Sequence, residues 1–153
     1  MKRSRTGIAF VVAQVGLFAA FALLPRAWSV AWDTGTWGAA VGWALVAIGV
    51  ALGVAAGVAL GRDLTPFPEP RSGARLVRAG PYRHARHPIY GGLLLAALGW
   101  TLASGSVAVA LLTITAAVFF DAKRRYEERS LRARFVDYDA YRSVTRVFVP
   151  FLV

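Results

Sequence analysis

The sequence predicts an all-α integral membrane protein with about four transmembrane helices. The third and fourth of these form a helical hairpin, and a cytoplasmic amphipathic C-terminal helix follows. Three observations carry that expectation. The 153 residues are 57% hydrophobic and only 17% charged, with a mean hydropathy of +0.51, outside the usual soluble range. The apolar residues gather into three uncharged runs, Gly7–Leu24, Trp37–Leu60 and Pro88–Phe120. The 18 Lys and Arg residues fall between and beyond those runs with a strong bias. Three precede Gly7, one lies in the first connection, six lie between Arg62 and Arg86, and eight follow Asp121. Seventeen of 18 therefore collect on one face of a four-helix arrangement, which makes that face cytoplasmic with both termini on it.

Composition also excludes several classes. Without cysteine there are no disulfides, thiolate metal sites or cysteine nucleophiles. The two histidines, His84 and His87, have no carboxylate near them in sequence between Glu69 and Asp121, a poor metal-ligand set. The net charge of +10 and pI of 11.2 would suggest nucleic acid in a soluble protein. Here the basic residues flank apolar runs, so membrane topology and anionic lipid account for them and no nucleic-acid partner is expected.

The first run, Gly7–Leu24, follows Lys2, Arg3 and Arg5 and ends in Leu24-Pro25-Arg26 rather than a small-residue cleavage site; it is expected to be a retained helix. Trp28 and Trp32 in the next connection suit an interfacial belt. The second run, Trp37–Leu60, carries Gly49, Gly53 and Gly57 at four-residue spacing, a small-residue stripe that lets helices approach closely in lipid. Glycine is also simply frequent in membrane helices. Pro66, Pro68 and Pro70 then preclude a helix and favour extended backbone. Pro88 fits the first turn of the third helix. Pro88–Phe120 is too long for one span, and Ser104-Gly105-Ser106 breaks it into a tight hairpin of two helices of about fifteen residues each. Beyond Asp121, Lys123–Glu127 and Arg124–Glu128 form i,i+4 pairs that would carry the fourth helix out of the membrane. Phe135, Tyr138 and Tyr141 give the C-terminal segment an aromatic face, and Val147–Val153 is expected to pack back on the membrane surface.

Chemistry concentrates in Gly80–Gly92. This stretch holds both histidines, with Tyr82, Tyr90, Arg83 and Arg86. His87 and Tyr90 can address one pocket across the start of the third helix, although an interfacial aromatic-arginine belt would use the same residue types. Glu127 and Glu128 close the fourth helix beside that point, and because adjacent helical residues diverge by about 100°, only one can face the pocket fully. A pocket with aromatic faces, a histidine and a carboxylate suits a cationic ligand.

The pattern Leu76-Val77-x-x-Gly80-Pro81-Tyr82-Arg83-x-x-Arg86-His87-Pro88-x-Tyr90-x-Gly92, an apolar hairpin, then Glu127-Glu128-x-x-Leu131 resembles the isoprenylcysteine carboxyl methyltransferase and phospholipid methyltransferase superfamily. The resemblance covers roughly residues 66–150. Length and the apolar runs give a single membrane domain, 1–153, with two N-terminal helices in 1–60, and the resemblance implies a methyltransferase core in 61–153. It further implies that S-adenosylmethionine is held by Leu76, Val77, Tyr82, His87, Pro88, Ile89, Tyr90 and Glu127, with Glu128 beside it. Lys123 and Arg124 would meet the substrate, and Arg83 or Arg124 would position the oxygens of a carboxylate acceptor. His87, Arg124 and Glu127 would be catalytic, with His87 serving as base for an amine acceptor. Expected partners are a lipophilic small-molecule or lipid substrate and membrane lipids, and the expected location is the bacterial inner membrane with the site on its cytoplasmic side. Val136 stands where the family usually has glycine. Ile89 and Leu93 stand where the related sterol-reductase type has Asn and Glu, which argues against reduction. A non-catalytic membrane scaffold that binds lipid is the remaining alternative.

Overall fold

In the computed structural model, which describes residues 4–27 and 30–148, the chain is all-helical. The main helices are α1 (Arg5–Ala27), α2 (Gly35–Leu60), α3 (Pro88–Ser104), α4 (Val107–Arg134) and α5 (Tyr138–Val144). Short 3-10 turns at Gly61–Asp63 and Gly80–Arg83 punctuate the long connection. Among the described residues, two helices could cross a membrane by length and composition, Arg5–Pro25 and Gly35–Asp63, while Pro88–Ser104 is a shorter apolar helix. Their outer faces bear bare apolar side chains. Trp37 is 85% exposed and Val58 76%, and Val118 on α4 is 68% exposed. Helices this apolar with this much uncovered surface need a non-aqueous surrounding.

The third apolar run breaks at Ser104-Gly105-Ser106 as expected. Gly105 takes φ +58°, and a Cβ there would run into the carbonyl of Trp32, so the turn requires glycine. Ser106 caps α4 by accepting from Val109 N at 3.4 Å. The same turn pairs with the α1–α2 connection: Trp32 N donates to Gly105 O at 2.8 Å and Val107 N to Val30 O at 3.0 Å. Both helical connections thus share one end of the molecule. Trp28, residues 1–3 and residues 149–153 lie outside the described residues.

α3 packs most extensively on α2. One expectation about packing is corrected: of the Gly49, Gly53 and Gly57 series it is Gly49 that meets α3 with no room for a Cβ, and the close approach runs along Gly42 and Gly49 on α2 against Gly92 and Gly99 on α3. A Cβ on Gly92 would stand 2.5 Å from Gly49 O, and one on Gly99 2.5 Å from Gly42 O. Gly53 and Gly57 would each have open space for a Cβ. Seven-residue spacing keeps Gly42 and Gly49 on one side of a helix, whereas a four-residue repeat drifts around it. The α4 face meets α1 instead, through Leu17, Leu112, Ala116 and Phe120, with Phe10 against Phe119 and Tyr126.

At the opposite end, α4 continues unbroken past Phe120 to Arg134, and the C-terminal stretch pins the loop. Arg86 N donates to Arg146 O at 2.9 Å and His87 N to Val147 O at 2.8 Å. Tyr141 Oη donates to Tyr82 O at 2.7 Å. Burial pushes the Tyr141 phenol up to about 12 against the pull of Arg86 and Arg78, which keeps it a donor. The proline segment 66–70 is tied down by Glu69, which meets Ser4 and Tyr126.

Candidate active site

The start of α3 and the emerging part of α4 bring His87, Tyr90, Lys123 and Glu127 to one cavity of about 310 Å³, closed from the sides by Gln14 of α1 and by Leu64–Pro66. His87 immediately precedes Pro88, whose missing N–H suits the first turn, so the His87 and Tyr90 rings project one turn apart. They stack with centroids 5.4 Å apart and planes within 2°, and Tyr90 stacks on Phe120 at 4.9 Å.

The adjacent glutamates have divided roles. Glu127 lines the cavity; Tyr90 Oη donates to its Oε2 at 2.9 Å, and His87 Nδ1 lies 3.7 Å from the same oxygen. Glu128 is buried behind His87, with Nε2 3.3 Å from Oε1. Arg86 Nε reaches Glu128 Oε1 at 3.1 Å, Arg142 Nε stands 3.7 Å from Oε2, and Arg124 NH1 3.9 Å from Oε1. Burial alone would raise the Glu128 carboxyl, but the hydrogen bonds and charges of His87 and Arg86 outweigh it and hold it at about 2. Glu128 is therefore a fixed anion in an arginine cluster. Both ring nitrogens of His87 stand against carboxylates, so the ring locks the two glutamates in place.

Lys123 does not pair with Glu127 as the i,i+4 spacing suggested. Its side chain is 1% exposed and turns toward α1, donating to the Gln14 amide oxygen and, at 2.8 Å, to Pro66 O. It also lies over the Tyr90 ring at 5.5 Å. Arg124 is taken up by Asp121, at 2.6 Å.

Of the residues singled out in the sequence, His87, Ile89, Tyr90, Lys123 and Glu127 line the cavity together. Pro88 and Tyr82 are buried beside it, and Glu128 stands behind it. Leu76 and Val77 are half-buried in the irregular connection and Arg83 is exposed; none of the three lines the cavity. Sequence reasoning missed Gln14 and the role of Arg86. Gln14 had a legible signal, as the only polar side chain besides glycine positions in Gly7–Leu24. The ties from Arg86 to Thr145 and Arg142 O had none, because they depend on the C-terminal stretch folding back.

A second cavity, about 380 Å³ and almost wholly apolar, lies among α1–α4, lined by Phe21, Trp43, Ala96, Trp100 and Phe120 among others. Leu93 lines both cavities.

Comparisons with known proteins bear on the family and the fold. The model of the phospholipid methyltransferase family matches residues 37–137. The cobalt-zinc-cadmium resistance protein CzcN of Cupriavidus metallidurans is 37% identical over 81 residues, 52% of this chain and 38% of that protein. The structure of the eukaryotic intramembrane Ras methyltransferase ICMT, isoprenylcysteine carboxyl methyltransferase, has a TM-score of 0.69 at 22% identity. That match covers 99% of this chain and 54% of the other. The chain thus spans about half or less of the length of these two relatives. With the family model covering well over half of its residues, this chain belongs to the phospholipid methyltransferase family.

Proposed function

We propose that the protein is an S-adenosylmethionine-dependent methyltransferase that modifies a lipophilic acceptor within the membrane. The observation that carries this reading is the cavity in which Glu127, held by Tyr90, faces the stacked rings of Tyr90 and His87. Such a donor set fits a cationic cofactor: a carboxylate for its amino group or sulfonium, and ring faces for cation or adenine. When bound, S-adenosylmethionine supplies an already activated methyl group, so the chain has only to align the reacting atoms and exclude water. Glu127 would hold the positive charge, with Tyr90 fixing the carboxylate's direction. His87 would keep Glu127 and Glu128 apart and oriented. Leu93, shared with the apolar cavity, would pass the acceptor's tail into the bilayer interior.

In the same reading, α1–α4 all cross the membrane, and the end bearing the cavity faces the cytoplasm. Two features support it. The α1–α2 connection and the α3–α4 turn sit together at one end with almost no Lys or Arg, and the basic segments sit at the other. A bacterial inner membrane is the proposed location.

The test is transfer of label from methyl-tritiated S-adenosylmethionine into an organic-solvent extract by membranes containing the protein. Label in the extract that disappears in Glu127→Ala supports the proposal. An unlabelled extract, with the protein folded and the membrane's own lipids present, counts against it.

A further inference from the structure

The basic end of the molecule carries another concavity, about 750 Å³ and open at the surface, lined by Arg86, Arg132, Asp139, Arg142, Thr145 and Arg146 among others. No described residue lines both it and the cavity of His87 and Glu127. The buried Glu128 stands between the two, facing His87 on one side and Arg86 and Arg142 on the other. The pocket's four guanidiniums come from the loop before α3, the last turn of α4, the last turn of α5 and the stretch after α5.

A membrane orientation bias asks for arginines on this face, but not for their convergence. Others on the face have local partners: Arg125 pairs with Asp121, while Arg129 and Arg134 lie over Tyr126 and Phe135. The guanidiniums of the pocket repel one another unless anions answer them. Arg132 Nε reaches Asp139 Oδ1 at 2.9 Å, and Arg86 and Arg142 share Glu128, which also serves His87 and Arg124. Arg146 is exposed and has no carboxylate partner among the described residues. Four guanidiniums thus meet two carboxylates, and the pocket is left positive.

We infer that this pocket binds a phosphate group, carried by an anionic lipid headgroup or free in solution, and that the anion fastens the C-terminal stretch onto the His87 loop. The site is separate from the cofactor and acceptor cavity, and its occupancy does not depend on methyl transfer. Guanidinium forks match phosphate oxygens two at a time. Arg86 is immobile, its NH1 held by Arg142 O at 3.0 Å and by Thr145 O, so it supplies charge at the pocket wall. Arg132, Arg142 and Arg146 are exposed enough to turn onto a ligand. An anion shared by these three would join the end of α4, α5 and the stretch that pairs with the loop. That stretch is already held there by Arg146 N donating to His84 O and Arg86 N donating to Arg146 O, each at 2.9 Å. A ligand that binds only this arrangement stabilises it by mass action. The position of Arg86, two residues before the uncharged α3 begins at Pro88, puts the pocket at headgroup level in the proposed topology.

The experiment reconstitutes the full chain in phosphatidylcholine membranes and compares the protein-restricted fractions of spin-labelled phosphatidylglycerol and spin-labelled phosphatidylcholine. Binding of radiolabelled inorganic phosphate is measured separately in phosphatidylcholine nanodiscs. Wild type is expected to prefer phosphatidylglycerol by about fivefold, the upper range for partly exposed ion pairs. Arg146→Gln should erase most of that preference, and Asp139→Asn, which frees Arg132, should increase it. Arg62→Gln and Asp63→Asn make the same changes of charge outside the pocket and should leave it unaltered. Phosphatidylglycerol should also slow amide hydrogen exchange at Arg86 and His87 in wild type but not in Arg146→Gln. Saturable phosphate binding with this variant pattern and no lipid preference would support the site and assign it to free phosphate. Failure of both probes to bind, or equal shifts in the variants outside the pocket, would overturn the site. Unchanged exchange at Arg86 and His87 with the ligand in place would overturn the fastening.

Discussion

Glu127 and Glu128 are neighbours in the chain with opposite surroundings, and that contrast sets the chemistry available to each. Glu128 is surrounded by Arg86, His87, Arg124 and Arg142. Its carboxyl is held at about 2, below its ordinary 4.5, so it contributes stability that is complete above about 4.5 and lost as the pH falls toward 2. Glu128→Gln should therefore remove much of the acid-induced loosening of the C-terminal segment over that window, read by protease accessibility of α5, while lowering stability at neutral pH. Tyr90→Phe deletes the hydrogen bond to Glu127 and keeps the ring stack, so S-adenosylhomocysteine affinity should fall by about tenfold with thermal stability little changed. At this scale the residue types and spacing of the loop motif singled out His87 and Tyr90, and the end of the fourth helix singled out Glu127; the structure brings the three to one cavity. The direction of Lys123 was not legible, since the helical i,i+4 rule pointed to Glu127 and a partner 109 residues away prevailed.

Among the elements, the glycine pairing of α2 with α3 does most to place His87, because α3 begins at the site and is seated on α2. Gly92→Ala should destabilise the protein by about 1–3 kcal/mol, as a Cβ there overlaps the α2 backbone. Gly57→Ala, with open space around it, should be neutral or slightly stabilising in the same thermal assay. Tyr141→Phe would leave the Tyr82 carbonyl without its donor, at a cost of about 1–3 kcal/mol, and should loosen the loop before the helices. The helices, their break at Gly105 and the continuation of α4 were all readable from apolar runs and turn residues. Which glycines touch was not readable, because Gly49 belongs equally to a four-residue and a seven-residue series and only the partner helix distinguishes them.

Over the whole molecule, charge and connectivity divide the chain into a basic end carrying the cavity and a nearly uncharged end carrying both turns. That division was visible in the count of Lys and Arg, whereas the folding back of residues 145–148 onto His84–His87 was not, since it rests on backbone pairing between apolar and basic stretches. If the proposed topology holds, a cysteine placed at Ser143 should react with an impermeant maleimide only from the cytoplasmic side, and one at Ser104 only from the other. In the proposed function Glu127 and the stacked rings hold the cofactor, and calorimetric titration of S-adenosylhomocysteine into the purified protein is the decisive test. Saturable binding that is lost in Glu127→Ala, while Arg83→Ala binds as wild type, is the predicted result. Undiminished binding in a folded Glu127→Ala protein would contradict it.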